Sequence, residues 1–127
     1  MSYATLKKRS EFVRVAQARN IMRTETVWVQ CFFNKSEDSS CVRVGYTASR
    51  KTGNAVYRNR GKRRMRDLAR YELPQVLSEF PHFSGDFVMI AIPATVTSEY
   101  TELARDFKNA VRKCLKRAET HCHLKSF

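Results

Sequence analysis

The chain has no hydrophobic run long enough to cross a membrane: its longest, Phe87 to Ile92, spans six residues and ends at Pro93, against about 20 for a spanning helix. No apolar stretch follows Lys7, Lys8 and Arg9, so the N-terminus does not read as a secretory signal. There is no internal repeat, low-complexity tract or linker, and 127 residues suit a single domain spanning 1–127, with 119–127 as a tail. The cysteines number only four and, without a secretory signal, read as reduced intracellular thiols. Eight Phe, five Tyr and one Trp argue for a packed core rather than disorder. The expectation is a soluble, cytoplasmic, basic domain.

The most informative absence is of acids. The net charge is +12, and residues 50–66 carry Arg50, Lys51, Arg58, Arg60, Lys62, Arg63, Arg64 and Arg66 with no Asp or Glu among them. Residues 1–23 carry +5, residues 24–49 carry −1, and residues 67–127 are neutral. A merely solvated helix face would interleave Glu as i,i+4 partners, which the block lacks. Arginine predominates in it, and a guanidinium can grip a phosphate by two hydrogen bonds or stack on a base. This distribution points to nucleic acid as partner.

Hydrophobic periodicity predicts an α-β-β-α-β-α order, an α+β domain with a small mixed sheet. Ser10 is the expected cap of a first helix over 11–19, with Phe12, Val15 and Ala16 on one face. Val27–Phe33 and Cys41–Thr47 read as strands, expected to pair antiparallel across the polar turn Asn34–Ser40. Asp86–Ile92 is apolar beyond its first residue and expected at the sheet centre. A weaker strand signal lies at Ile21–Arg23. A helix over 54–71 places Gly61, Met65, Leu68 and Ala69 on one face and Asn59, Arg60, Arg63, Arg66 and Arg70 on the other. Gly61 there should cost about 1 kcal/mol relative to Ala. The last helix, over 99–119, buries Leu103, Phe107, Ala110, Val111, Cys114, Leu115 and Ala118, and its basic end, Arg112 to Arg117, complements the helix dipole.

No autonomous active site is legible. The basic block contains no carboxylate for metal-assisted hydrolysis. His82 lies in a loop, and His121 and His123 lie near the C-terminus. Cys114, His121, Cys122 and His123 lack zinc-ligand spacing. Cys31 and Cys41 could be neighbours on adjacent strands. Gly53 stands alone and forms no phosphate loop. Composition alone fits an RNA-binding protein of ribosomes or their assembly, or a basic DNA-binding module, although no helix-turn-helix pair is apparent.

The order of residues inside the block separates these readings. Lys51-Thr-Gly-Asn-Ala-Val-Tyr-Arg-Asn-Arg-Gly-Lys-Arg-Arg-Met-Arg66 resembles the signature of the bacterial ribonuclease P protein component family. Leu6-Lys-Lys-Arg-Ser-Glu-Phe12 and Arg43-Val-Gly45 are similar to its upstream segments, so the resemblance covers about residues 5–117. It implies a two-layer α/β sandwich with a left-handed βαβ crossover. It also implies a protein subunit, one copy per holoenzyme, that is not itself catalytic. The catalytic RNA subunit would use Mg²⁺ to cleave the 5′ leader from precursor tRNA. By the same resemblance, Arg50, Lys51, Asn54, Arg58, Asn59, Arg60, Lys62, Arg63 and Arg66 face RNA. Lys8, Arg9, Phe12, Trp28 and Gln30 belong to a cleft for the leader. Asn54 reads equally well as a helix cap, and Phe12 as core. Many members carry a second aromatic where this chain has Ala16, and some carry Tyr where it has Gln30.

Overall fold

A computed structural model describes residues 3–33, 42–81 and 83–125, with side chains as far as Ala118. The expected turn Asn34–Ser40, Cys41, His82 and the side chains of His121, Cys122 and His123 lie outside the described residues. The elements run β1 (Ala4–Thr5), α1 (Arg9–Gln17), β2 (Ile21–Arg23), β3 (Val27–Phe33) and β4 (Val42–Ala48). A 3-10 turn (Arg50–Thr52) then leads to α2 (Ala55–Tyr71), α3 (Leu73–Leu77), β5 (Gly85–Ala91), α4 (Pro93–Thr97) and α5 (Tyr100–Lys125).

The strands form one mixed sheet in the order β1-β4-β5-β3-β2. Strand β5 takes the centre, as its apolar run requires, and thereby separates β3 from β4. These two were expected to pair with each other; instead β3 pairs antiparallel and β4 parallel with β5. A strand buried on both faces gains most from a partner on each side, and that outweighs the short connection between β3 and β4. The weakly signalled β2 is a true edge strand, antiparallel to β3.

Alternation along the strands sorts side chains into two faces. Val27, Val29 and Cys31 of β3, Val44 of β4, and Phe87, Met89 and Ala91 of β5 face the main core. That core is closed by Met65, Leu68 and Ala69 of α2, Leu73 and Val76 of α3, and the apolar stripe of α5. Each fully buried large side chain here contributes about 1.5–3 kcal/mol. Cys31 meets Cys114 of α5, and both are free thiols; the expected neighbour Cys41 lies outside the described residues. The hydrogen bond with Cys114 and burial push the Cys31 thiol well up from its usual pKa. Helix α5 ends at Lys125 rather than near 119.

The expected sandwich accounts for this layer; helix α1 is an addition on the opposite face. Its apolar footing is small: Val15 packs with Leu6 and Val88, and Phe12, Phe32 and Ile90 lie around them. Polar contacts complete the attachment. The buried Asp86 carboxylate accepts Arg43 Nε and Nη2, each at 2.9 Å, and Arg14 Nη2 at 3.2 Å. Arg43 Nη1 reaches Glu11 Oε2 at 2.6 Å, and Glu11 Oε1 accepts the Lys8 and Lys7 amides at 2.8 and 3.1 Å. Glu11 therefore caps the helix from inside its first turn, in place of the expected Ser10.

The Lys8 and Lys7 amides, and after them Arg43, hold the Glu11 carboxyl below its ordinary pKa of 4.5. Its contribution to stability is complete above that value and is lost as pH falls through the lower folded value. Glu11→Gln should therefore unfold more readily than the parent at neutral pH, with the gap closing in acid denaturation; a gap constant with pH would remove the charge from the account. Arg43→Ala strips Asp86 of its two-pronged partner and should cost about 3–5 kcal/mol in chemical denaturation, nearer the lower figure because Arg14 remains.

Candidate nucleic-acid interface

Helix α2 is held so that its basic face points away from the protein. The Asn54 side-chain oxygen accepts the Val56 and Tyr57 amides at 3.1 and 3.3 Å, a cap worth about 1 kcal/mol. That role leaves only its amide nitrogen for a ligand. Upstream, Thr52 Oγ1 donates to the Ala91 carbonyl at 3.0 Å and the Ser49 amide to the same carbonyl at 2.9 Å. The 3-10 turn is thereby tied to the end of β5, with Arg50 and Lys51 exposed on it. Gly53 makes the bend into α2 at φ 121°, a conformation costly for any side chain. Gly61 lies where an added Cβ would come within 3.0 Å of Ala91 Cβ, so its helix penalty is exchanged for close approach to the sheet.

Gly61, Met65, Leu68 and Ala69 are the buried residues of α2, as the periodicity predicts. Asn59, Arg60, Arg63, Arg66 and Arg70 are exposed, while Arg58 and Lys62 are half-buried along the flank. Arg58 Nε is buried without a hydrogen-bond partner. Arg66 lies over the Tyr46 ring, its guanidinium carbon 5.4 Å from the centroid. Burial pushes the Tyr46 hydroxyl up from its usual pKa, keeping the ring neutral beneath that charge. Arg64 differs from its neighbours: Nη1 donates to the Thr95 and Val96 carbonyls at 2.8 and 3.0 Å, securing α4.

The second part of the site is the sheet face that α1 only partly covers. Register places Trp28, Ile90 and Thr47 side by side across β3, β5 and β4, with Gln30, Val88 and Gly45 in the next row. Phe12 stands over that second row. A Cβ on Gly45 would fall 2.6 Å from Phe12 Cε1, so the glycine makes room for the ring. Phe12 is half-buried: it packs α1 down onto the sheet and forms one wall of the cleft. Trp28, Gln30, Ile90 and Thr47 are likewise half-buried. Lys8 and Arg9 are exposed at the start of α1. Thr47 lies near the end of β4, and the chain then enters the turn bearing Arg50 and Lys51, so floor and basic helix adjoin.

Three residues escaped the sequence reading. Arg23 lies opposite Trp28 in the β2–β3 register, its guanidinium carbon 5.0 Å from the indole centroid. Tyr46 supports Arg66, and Tyr57 is an exposed aromatic within the acid-free block. The pairing of β2 with β3 was the signal that could have found Arg23; its strand of three residues was too short to set a register.

The model of the family Ribonuclease P matches residues 2–115. The chain is 37% identical over 111 residues to the ribonuclease P protein component of Ruegeria pomeroyi, covering 87% of this chain and 85% of that one. It is 40% identical over 111 residues to that of Caulobacter vibrioides, covering 87% and 70%. Among solved structures, the RNase P protein from Thermotoga maritima superposes with a TM-score of 0.68 at 20% identity, covering 86% of this chain and 96% of that one. The Staphylococcus aureus RNase P protein gives 0.63 at 20% identity, covering 87% and 94%. The shared fold and the extent of the family match lead to one conclusion: the chain belongs to the ribonuclease P protein family.

Proposed function

We propose that the chain is the protein subunit of a cytoplasmic ribonuclease P ribonucleoprotein, binding the catalytic RNA subunit through α2 and the 5′ leader of precursor tRNA in the cleft beside α1. One observation carries the reading: within a chain of this family, the acid-free segment forms one exposed guanidinium face that adjoins a half-open aromatic floor. Two RNAs that must converge repel one another, and Arg60, Arg63 and Arg66, with Arg50 and Lys51, offer cations to neutralise phosphates of both. Asn59 can donate to and accept from 2′-hydroxyls or base edges. Phe12 and Trp28 present ring faces to unpaired bases, each stack being worth about 1–3 kcal/mol.

The protein contributes no catalytic group in this reading. Mg²⁺ bound by the RNA subunit supplies the metal chemistry when the ribonucleoprotein is assembled. The chain's own residues hold the leader and screen charge, which favours precursor over mature tRNA and lowers the demand for Mg²⁺. One copy serves each holoenzyme.

Mixed with its cognate RNA subunit and a precursor tRNA at low Mg²⁺, the chain should accelerate cleavage at the mature 5′ end. Cleavage by the protein alone would overturn the mechanism, and absence of stimulation would overturn the assignment. Arg60→Ala should weaken binding to the RNA subunit and flatten its salt dependence, by about 0.7–0.9 log units per log[salt] for each phosphate it leaves unneutralised. An unchanged slope would place Arg60 away from phosphate. Trp28 is the only tryptophan, so its fluorescence reports on the floor directly. It should change when the holoenzyme binds precursor tRNA and stay constant with mature tRNA; equal responses would take the leader off the floor.

A further inference from the structure

The basic residues of α5 were expected to complement its dipole, but the helix continues to Lys125. Dipole stabilisation falls off within the last turn, so Lys113, Lys116 and Arg117 lie too far from the C-terminus to be explained by it. Elsewhere on α5, cations facing the protein find acids: Lys108 Nζ meets Glu72 at 3.1 Å and Arg112 Nη2 meets Glu79 at 3.1 Å. Among the described residues no acid pairs with Lys113, Lys116 or Arg117, and all three are exposed.

These residues join a second group of cations. Asn20 Nδ2 donates to the Cys114 carbonyl at 2.9 Å, and Arg117 Nη1 to the Ile21 carbonyl at 3.3 Å. The chain around β2 therefore lies against this part of α5, and it brings the exposed Arg19 and Arg23 to the same edge. Among the described residues the nearby acids, Asp106 and Glu25, are fewer than these five cations. Asp106 accepts the Thr26 hydroxyl at 2.9 Å and lies 3.9 Å from Arg105, while the exposed Glu25 forms no ion pair among the described residues. Such a surface repels itself and favours a polyanion. Arg23 makes the surface continuous with the cleft, because its guanidinium lies over Trp28 on the cleft floor.

We infer that the β2–α5 edge is a second RNA-binding surface, which receives the single-stranded precursor segment as it leaves the cleft past Trp28. Resting on the function proposed above, this inference extends the leader's path beyond the sheet face. Lys113, Lys116 and Arg117 act as phosphate contacts, and Arg23 sits where the strand passes from stacking to charge.

The test uses the reconstituted holoenzyme with three ligands: precursor tRNA with a long unpaired leader, the same precursor trimmed to a few leader nucleotides, and mature tRNA. The combined variant Lys113→Gln, Lys116→Gln, Arg117→Gln should bind the long-leader precursor more weakly. Its salt dependence should be shallower by about 2 log units per log[salt], at about 0.7 for each single-strand phosphate left unneutralised. Affinities for the trimmed precursor, mature tRNA and the free RNA subunit should not change. An unchanged long-leader affinity overturns the inference. Equal weakening with all ligands, or failure to bind the RNA subunit, also overturns it by assigning the edge to another RNA. The double variant Lys113→Gln, Lys116→Gln leaves the Arg117 bond to β2 intact and should show the same leader-length dependence if the fold is preserved. Stimulation of cleavage by the unsubstituted chain is the control that separates failure here from failure of the parent proposal.

Discussion

One buried carboxylate organises the functional half of this molecule. Asp86 begins the central strand's run on the α1 face, and its side chain is 2% exposed. It takes two bonds from Arg43 and one from Arg14, so β5, β4 and α1 meet at a single charge. An ionised carboxylate so buried is tolerable only when its oxygens are fully engaged. That demand fixes the start of α1 next to Arg43, and Glu11 takes a third bond from the same guanidinium. Phe12 follows immediately on Glu11, so the wall of the cleft is placed by an ion cluster that never touches the cleft. The apolar footing of α1 is too slight to do this alone.

The same economy governs the rest of the charge. Four acids serve the scaffold: Asp86 and Glu11 under α1, Glu72 and Glu79 between α3 and α5. Basic residues facing those acids are structural, as is Arg64 with its two carbonyls. The cations left over gather on the outer face of α2 and along the β2–α5 edge. A uniform scatter of the +12 excess would keep the chain soluble without making a site. An excess of cations over acids on two surfaces concentrates potential there, which is what attraction of a polyanion requires.

Much of this arrangement was legible in the sequence because it depends on local periodicity. Val27–Phe33 alternates cleanly, and Gly61, Met65, Leu68 and Ala69 mark the buried side of α2. The exposure of Arg60, Arg63 and Arg66 follows from the same wheel. What escaped depends on contacts between distant segments. The apolar character of β5 implied a central position, yet nothing in β3 or β4 declared that β5 would separate them. Arg64 is indistinguishable in composition from Arg63, and only the carbonyls of α4 make it structural. Ser10 is a better intrinsic cap than Lys8, but Glu11 with its Arg43 partner outcompetes it. Asn54 had two equal readings, and the hydrogen bonds to Val56 and Tyr57 commit its oxygen to the cap.

The cleft carries its aromatic surface unevenly. Phe12 presses against the space left by Gly45, so its ring cannot shift toward the sheet without a clash. Ala16, one turn further along α1, is exposed and offers no ring, and Gln30 offers an amide in the row below Phe12. The remaining aromatic surface is Trp28, one row nearer the ends of β4 and β5 and flanked by Ile90. Arg23 already occupies that ring as a cation–π partner, an interaction worth about 0.5–1 kcal/mol at an exposed site. A base stack of about 1–3 kcal/mol exceeds it, so an arriving nucleotide can take the indole face and release Arg23 to a phosphate. Stacking and charge therefore meet at one pair of residues, Trp28 and Arg23, on the β2 side of the cleft.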